Sequence, residues 1–519
     1  MTTTPTYRNY CWREATPGIW QRDADEAEVF YSSLVKLYEG SGRMHFAITG
    51  HISLTVDVPG NATSEATAPL VDDSLRAAWL RLRHEIPTIA AQVRWDAPTQ
   101  KWIKVYETVP SRAAQEAWLE STFKPISTGQ TGAEWANSDP PAPPRATLFV
   151  IIPPQTSRDV VRRDLVLRSP HDIIDGIGTL HLFDQLIALF SSILAHPPTT
   201  PATTLLTGEE TTRLSPPYRI AAAVPSRPTP AHVARLTALR AAKDNPLNYP
   251  SILNLSLPFQ PGATIPSRHQ RLSHTLTPSQ TTALLAALKP LSATPTHAFH
   301  ASIALVLRDA FLARRSPLPP TITRLRYNNY LLRNDRPACV APYNTPAHAA
   351  AVYHSTSTGQ LSVTLSPRPS GEDQGEFMAT LAQIRAHYMA IRNDPDHTAL
   401  APQNWAAATP VVEMPGVGGG GGGVMTVPPP NQGPTVSISS MGLIDRVVQA
   451  EREGGRVRVY EPWVTGEELG TGLGVFLGTF RGRMEVSVAY NEAWRGREEV
   501  EGLLGQVVEG VMRGVGLDG

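Results

Sequence analysis

Between His196 and His232 the chain reads HPPTTPATTLLTGEETTRLSPPYRIAAAVPSRPTPAH. Proline cannot donate a backbone hydrogen bond, and it pushes the residue before it out of the helical region. Proline and threonine at this density, without a helix or strand period, read as a linker rather than as an element. The break divides the 519 residues into two parts, each large enough for a hydrophobic core of its own. The expected organisation is a first lobe over 1–195, a linker over 196–235 and a second lobe over 236–519, with a glycine-rich loop over 416–433.

Within each part the apolar period switches repeatedly between helix and strand. DADEAEVFYSSLVKLY opens with acidic residues and places Ala27, Phe30, Leu34 and Leu37 at helical spacing, with Gly40 and Gly42 to end it. Met44 to Val58 is rich in β-branched residues and reads as a strand. A helix is expected from about Asp73 to His84, stopped by Pro87, then a hairpin whose arms carry Trp95 and Trp102. Gly132 to Arg145 reads as a polar loop, followed by the strands ATLFVIIPP and RDLVLRSP and a helix carrying Leu180, Leu182, Phe183, Leu186 and Ile187. The second part continues with the strand RLSHTL and a helix that Thr277 caps, with Pro278 at its first position and Gln280 three residues after the cap. The apolar helix HAFHASIALVLRDAFLA follows, then strands YNNYLLRNDRPACV and QLSVTLSP and the helix FMATLAQIRAHYMAIR. TVSISS, the strand pair VFLGTFRGRMEVSVAYNEAW and a helix from Arg497 to Met512 close the chain. Strands and helices mixed in this order give an α/β (α+β) class, with mixed sheets flanked by helices.

Composition removes several classes. Lys+Arg and Asp+Glu both number 46, so bulk attraction to nucleic acid is not expected. The two cysteines, Cys11 and Cys339, fit neither a disulfide framework nor a Cys-based metal site. MTTTPTYRNYCWREATPGIW lacks the basic and apolar regions of a secretory signal. No uninterrupted apolar run of about 18 residues is seen, so no membrane span is expected. The expected setting is the cytoplasm. The run Gly418–Gly423 has neither the spacing nor the following helix of a phosphate-binding loop and reads as a surface insertion.

One stretch stands apart: SPHDIIDG, Ser169 to Gly176, between a strand and an apolar helix. A histidine at a strand end is suited to general-base work because its ordinary pKa lies near neutrality. His171 is that residue. Asp175, four positions on, need not touch the imidazole; it can face inward and pair with an arginine, fixing the loop that aims the histidine. Gly176 permits close backbone approach. Spacing alone does not separate this arrangement from chance, since the chain has 15 histidines.

HDIIDG resembles the HxxxDG motif of the chloramphenicol-acetyltransferase-like superfamily, which includes the BAHD acyltransferases, the condensation domains of peptide synthetases and fungal alcohol acyltransferases. FAITGHISL, LRAAWLRLRHEIPTI, TPSQTTALLAALK, HAFHASIALVL, SISSMGLID and TFRGRMEVSVAYNEAW resemble its other parts, so the likeness spans most of the chain. The helix-then-strand opening EVFYSSLVKLYEGSGRMHFAITGH is most similar to the fungal branch typified by trichothecene 15-O-acetyltransferase. The BAHD hallmark DFGWG is absent, and Pro170 stands where condensation domains carry a second histidine.

The resemblance implies two similar lobes with a tunnel between them. It implies an O-acyltransferase that takes an acyl group, acetyl in the first instance, from acyl-CoA as co-substrate and passes it to a hydroxyl of a small secondary metabolite such as a terpenoid or polyketide. His171 would be the general base, with no covalent acyl-enzyme and no bound cofactor or metal. Ser439 or Ser440 would donate to the oxyanion, and adjacent strand residues face opposite ways, so only one serves. Asp175 would be structural, paired with Arg333 or Arg336. The alternatives are a condensation-domain-like enzyme using a carrier-bound donor, and a cyclisation or binding scaffold. A monomer is expected, because two lobes in one chain complete the tunnel.

Other residues receive structural readings. His181 is a helix residue. His297 and His300 have one-turn spacing but no third ligand nearby. His45 and His51 flank a strand and are given no role, and Trp463 and Trp494 read as core or cleft aromatics.

Overall fold

The computed structural model describes residues 7–517 apart from 61, 156, 197–207, 245–250, 263, 316, 370–373, 413 and 415–435. The glycine-rich loop and residues 197–207 of the expected linker lie outside the described residues.

The first part is built on a six-stranded sheet. Its order is Glu451–Arg452, Val457–Gly466, Ile48–Asp57, Val160–Ser169, Thr147–Ile151 and Phe123–Ile126, antiparallel except for the last pair. Val160–Ser169 is central and buried on both faces. Leu165 and Leu167 turn towards the helices Ser64–Glu85 and Gly176–Ala195 and join the main core. Val166 turns the other way, against Trp135 and Phe149. Trp135 belongs to a short helix, Gly132–Ala136, capped by Thr131 and Glu134. That helix replaces the first part of the polar loop expected from Gly132, because a capping box and one tryptophan suffice to fix a single turn over a sheet.

The second part packs a four-stranded sheet, in the order His269–Thr275, Arg483–Asn491, Leu473–Phe480 and Val436–Leu443, beneath the helices Pro295–Arg315, Gln374–Arg392 and Arg497–Gly514. The helix Pro278–Leu288 starts as expected, with the reciprocal Thr277 and Gln280 capping bonds in place.

The expected division at 196–235 is crossed by one element. Val457–Gly466 comes from the second part, yet it pairs with Ile48–Asp57 from Val457↔Val56 to Gly466↔Ile48. Its periodicity is interrupted by a bulge between Tyr460 and Trp463, where Glu461 has a φ of 50°. The described part of the linker is also more ordered than its composition implies. Leu214 joins the first core, Tyr218 and Val224 form a small cluster with Tyr353, and Pro230–Asp244 is a helix.

Gly176–Ala195 is long and apolar enough to cross a bilayer by length and composition, although His181, Asp184 and Gln185 interrupt its apolar run. More than half of its most apolar stretch is buried, against the six-stranded sheet and Ser64–Glu85. Its apolar character is that of a core helix.

Candidate active site

The motif stretch occupies the turn between the strand Val160–Ser169 and the helix Gly176–Ala195. Asp175 caps that helix, its Oδ1 accepting from the Gly178 N–H at 2.7 Å. The same carboxylate reaches into the second part of the chain. Arg336 Nη1 donates to both of its oxygens at 2.7 Å, and the Tyr353 N–H donates to Oδ2 at 2.9 Å. Arg336 Nη2 is held in turn by the carbonyls of Ala349 and Ala351 at 3.2 and 3.3 Å. Burial would raise the carboxyl of Asp175, but Arg336, then His354, hold it far below the usual carboxylate range. Arg333, the other candidate partner, instead faces Asp335, Nε to Oδ1 at 3.0 Å.

The underside of the turn is fixed by groups the sequence did not point to. Ser32 Oγ donates to Asp172 Oδ2 at 2.8 Å, and Lys104 Nζ donates to the Asp172 carbonyl at 2.7 Å. Lys104 also meets Glu28, which Arg22 grips with two further bonds, all three side chains being buried. Burial alone would raise Glu28; the charges of Arg22 and Lys104 bring it down to about 2. No spacing rule marks a lysine on a hairpin strand as the support of a loop 68 residues later.

His171 stands above this base and lines a cavity of about 930 Å³. Both parts of the chain contribute: Tyr31, Phe46 and His171 from the first, Tyr330, His354 and Trp405 from the second. Burial, with a smaller push from the charge of His354, drops the pKa of His171 to about 3, while the carbonyls of His171 and Ile174 pull weakly the other way. The imidazole is therefore neutral at any physiological pH. Asp175 makes no hydrogen bond to it, since its oxygens are taken up by Arg336, Tyr353 and Gly178.

Ser439 and Ser440 both line the cavity. Along Val436–Leu443, Val436 and Ile438 turn into the second core. Ser437 and Ser439 alternate to the opposite face, and Met441, in the bulge between Ser440 and Gly442, lies close to Gly176. Ser440 is exposed and accepts weakly from the Gly442 N–H, at 3.4 Å, where the strand bulges. Gly176 has no positive φ, and the nearest group to the place a Cβ would take is the flexible end of Met441.

The remaining candidates lie elsewhere. His181 is half-buried on the helix after the motif. His297 Nδ1 accepts from the Thr294 N–H at 3.2 Å, and His300 meets the Tyr327 hydroxyl at 3.2 Å. His45 bonds near Glu467, and His51 bonds the Glu461 carbonyl while stacking on Trp463. Trp494 is buried and donates to the Leu469 carbonyl. Cys339 is buried, its thiol pushed up to about 12, and Cys11 is exposed; neither lines the cavity. Among the described residues no group of three metal-ligating side chains occurs.

No family model matches the chain. It is 26% identical over 492 residues to the O-acetyltransferase pigM of Monascus ruber, covering 93% of this chain and 83% of that protein. It is 24% identical over 487 residues to the acetyltransferase pigO of Monascus ruber, covering 93% of each. The structure superposes on the TRI3 trichothecene 15-O-acetyltransferase of Fusarium sporotrichioides with a TM-score of 0.76 at 17% identity, covering 99% of this chain and all of that one. The fold is the chloramphenicol-acetyltransferase-like one. With two acetyltransferase relatives along most of its length, the chain is an acyltransferase. The first condensation domain of the calcium-dependent antibiotic synthetase shares the fold more loosely, with a TM-score of 0.55 at 14% identity over 96% of this chain.

Proposed function

We propose that the protein transfers an acyl group, acetyl in the first instance, from acyl-CoA to a hydroxyl of a small secondary metabolite. The observation that carries this reading is a neutral imidazole facing a shared cavity while the aspartate of its motif is spoken for by Arg336. Its Nδ1 is buried, which in this reading leaves Nε2 as the nitrogen open to an acceptor.

In this reading the acceptor O–H gives its proton to His171 Nε2 as its oxygen attacks the thioester carbonyl carbon. The oxyanion that forms needs a donor already in place; Ser439 and Ser440 both line the cavity, and in this reading Ser439, on the strand face opposite Ile438, is that donor. Collapse breaks the C–S bond, and the leaving thiolate takes the proton from the imidazolium. No acyl-enzyme forms. Arg326 and Arg333 line the same cavity and offer guanidinium groups to the phosphates of CoA. The relatives' printed activities, O-acetylation and acetylation in Monascus ruber and acetylation of a trichothecene hydroxyl, favour acetyl as the group and a fungal metabolite as the acceptor.

The test is free-thiol release from acetyl-CoA with a panel of hydroxylated terpenoids and polyketides, wild type beside His171→Ala. A loss of about a hundredfold or more is the expected value of a general base. Equal rates would overturn the role of His171. Turnover of a carrier-bound thioester, with none from any acyl-CoA, would replace this reading by the condensation one.

A further inference from the structure

The Asp of the motif does not hold the plane of the His171 ring, and Nδ1 has no well-formed bond to do so. One side chain lies flat against the ring. Tyr31 stacks on it with centroids 3.8 Å apart and planes 8° from parallel. A parallel ring at van der Waals distance blocks rotation about the Cβ–Cγ bond and so fixes the direction in which Nε2 points.

Tyr31 is itself held on every side. It sits on the helix Glu26–Leu37, and Phe30, Phe46 and Trp405 meet it at 5.1, 6.5 and 5.7 Å. Its hydroxyl bonds His354 Nε2 at 2.8 Å. His354 follows Tyr353, whose N–H is bound to Asp175, and its own Nδ1 lies 3.8 Å from the same carboxylate oxygen. Packing alone would be served by phenylalanine. The hydroxyl ties the aromatic ring to the second part of the chain at the point where Arg336 already ties Asp175.

Building on the reading of His171 as the base, we propose that Tyr31 is a positioning residue that sets the plane of the His171 imidazole, and that His354 latches Tyr31 to the Asp175–Arg336 pair so that both parts of the chain steady the aim of the base.

The test has two readouts. The first needs no acceptor: proton spectra of histidine-labelled protein, with the His171 signal assigned by its loss in His171→Ala. A ring stacked on Tyr31 has its Cε1 proton displaced upfield of free imidazole. Tyr31→Phe should keep that displacement and Tyr31→Leu should abolish it; His354→Gln should broaden or split the signal. The second is thiol release from acetyl-CoA with whichever panel alcohol supports turnover. Tyr31→Leu should lower kcat about tenfold to a hundredfold, the cost of a misaimed group, with KM for acetyl-CoA moved no more than about threefold. Tyr31→Phe should stay within about fivefold of wild type, the worth of one hydrogen bond. In a His171→Ala background Tyr31→Leu should cause no further loss, because a residue acting only through another has nothing left to position.

An undisplaced His171 signal in wild type, or one unmoved by Tyr31→Leu, overturns the proposal, as does a further loss in the His171→Ala background. If Tyr31→Leu does not fold, His354→Gln decides: a His171 signal neither broadened nor split, at the wild-type rate, removes the latch. If no alcohol turns over, the spectra decide alone. Full activity in His171→Ala instead removes the functional reading on which this rests, and full activity in Tyr31→Leu with a dead His171→Ala removes the positioning role alone.

Discussion

At the scale of single residues the site depends on burying charge in one place and excluding it in another. His171 is neutral with a pKa near 3, so its basic form persists far below the usual histidine range, and the acid limb of kcat/KM reports the free base. Initial rates of thiol release at pH 5.5 should match those at pH 7.5 within about twofold; a limb centred near the ordinary histidine value of about 6.5 would contradict the burial argument. What fails first in acid is the fold. His45, His269 and His300 are also buried neutral, with values of about 4, 3 and 3. Each has a folded pKa below its unfolded one, so its share of stability is whole above about 6.5 and drains as pH falls towards the folded value. Thermal denaturation at stepped pH should show the melting temperature falling over that window while initial rates hold. Asp175 and Arg336 are the reverse case, a charged pair whose side chains are 4% and 5% exposed. Arg336→Met leaves a buried carboxylate unpaired and should cost about 3–5 kcal/mol, read from denaturant melts; Asp175→Asn in the same chain should restore part of the loss. In the sequence, HDIIDG marked His171 and Asp175 but not the direction of the pairing. Arg333 and Arg336 lie three residues apart, on the short strand Leu332–Asn334 and at the start of the 3-10 turn Arg336–Ala338, and the backbone of Ala349 and Ala351, holding the guanidinium of Arg336 from behind, distinguishes them. Tyr31 and His354 carried no motif at all.

At the scale of elements the helix Gly176–Ala195 bears the tightest constraint, and it is not at the motif's own glycine. A Cβ on Gly176 would lie 3.0 Å from the methyl carbon of Met441, the far end of a flexible side chain. A Cβ on Gly178 would lie 2.3 Å from the Ala349 carbonyl oxygen and 2.7 Å from Arg336 Nη2. Backbone cannot step aside as a thioether does. Gly178→Ala should therefore lower stability by about 1–3 kcal/mol and lose most acyl transfer, because it drives the Arg336 cradle off Asp175. Gly176→Ala should melt within a few degrees of wild type. Calorimetry and thiol release on the two variants test this contrast, and a harsher Gly176→Ala would reverse it. Element types were legible where one residue class dominates a face, as in Glu26–Leu37 with its Asp25 cap and in Pro278–Leu288 with its Thr277 cap. They were illegible where the decision is made by what lies opposite. Arg112–Thr122 shows only Trp118 and Leu119 as its apolar signal. Ser64–Glu85 runs through Pro69, which reads as a stop, because Thr63 caps it and Val71, Leu75, Ala78 and Trp79 anchor it in the core.

At the scale of the whole molecule the two parts of the sequence are not two independent folding units. Composition exposed a break near His196, and two cores do exist. Sequence patterning does not report which sheet a strand joins, and Val457–Gly466 joins the sheet of the other part. It covers the edge of Ile48–Asp57 over its whole length, while Val464, Ile444 and Phe480 fill the first core from the far side of the chain. Without that strand the first part would present Ile48–Asp57 as a long unpaired edge, a template for association with other chains. Residues 1–235 expressed alone should therefore be insoluble or aggregate on size exclusion. Coexpression with 236–519 should recover a soluble pair, and the intact chain should unfold in a single transition by both calorimetry and tryptophan fluorescence. A soluble, cooperatively folded 1–235 fragment would show that the crossing strand is dispensable. The same crossing gives the base its dependence on both parts. His171 lies in the turn after a strand two places from Val457–Gly466, and its motif aspartate, its stacking tyrosine and its cavity are each closed by residues of the second part. A chain so threaded has its reacting groups in register only when the first sheet is complete.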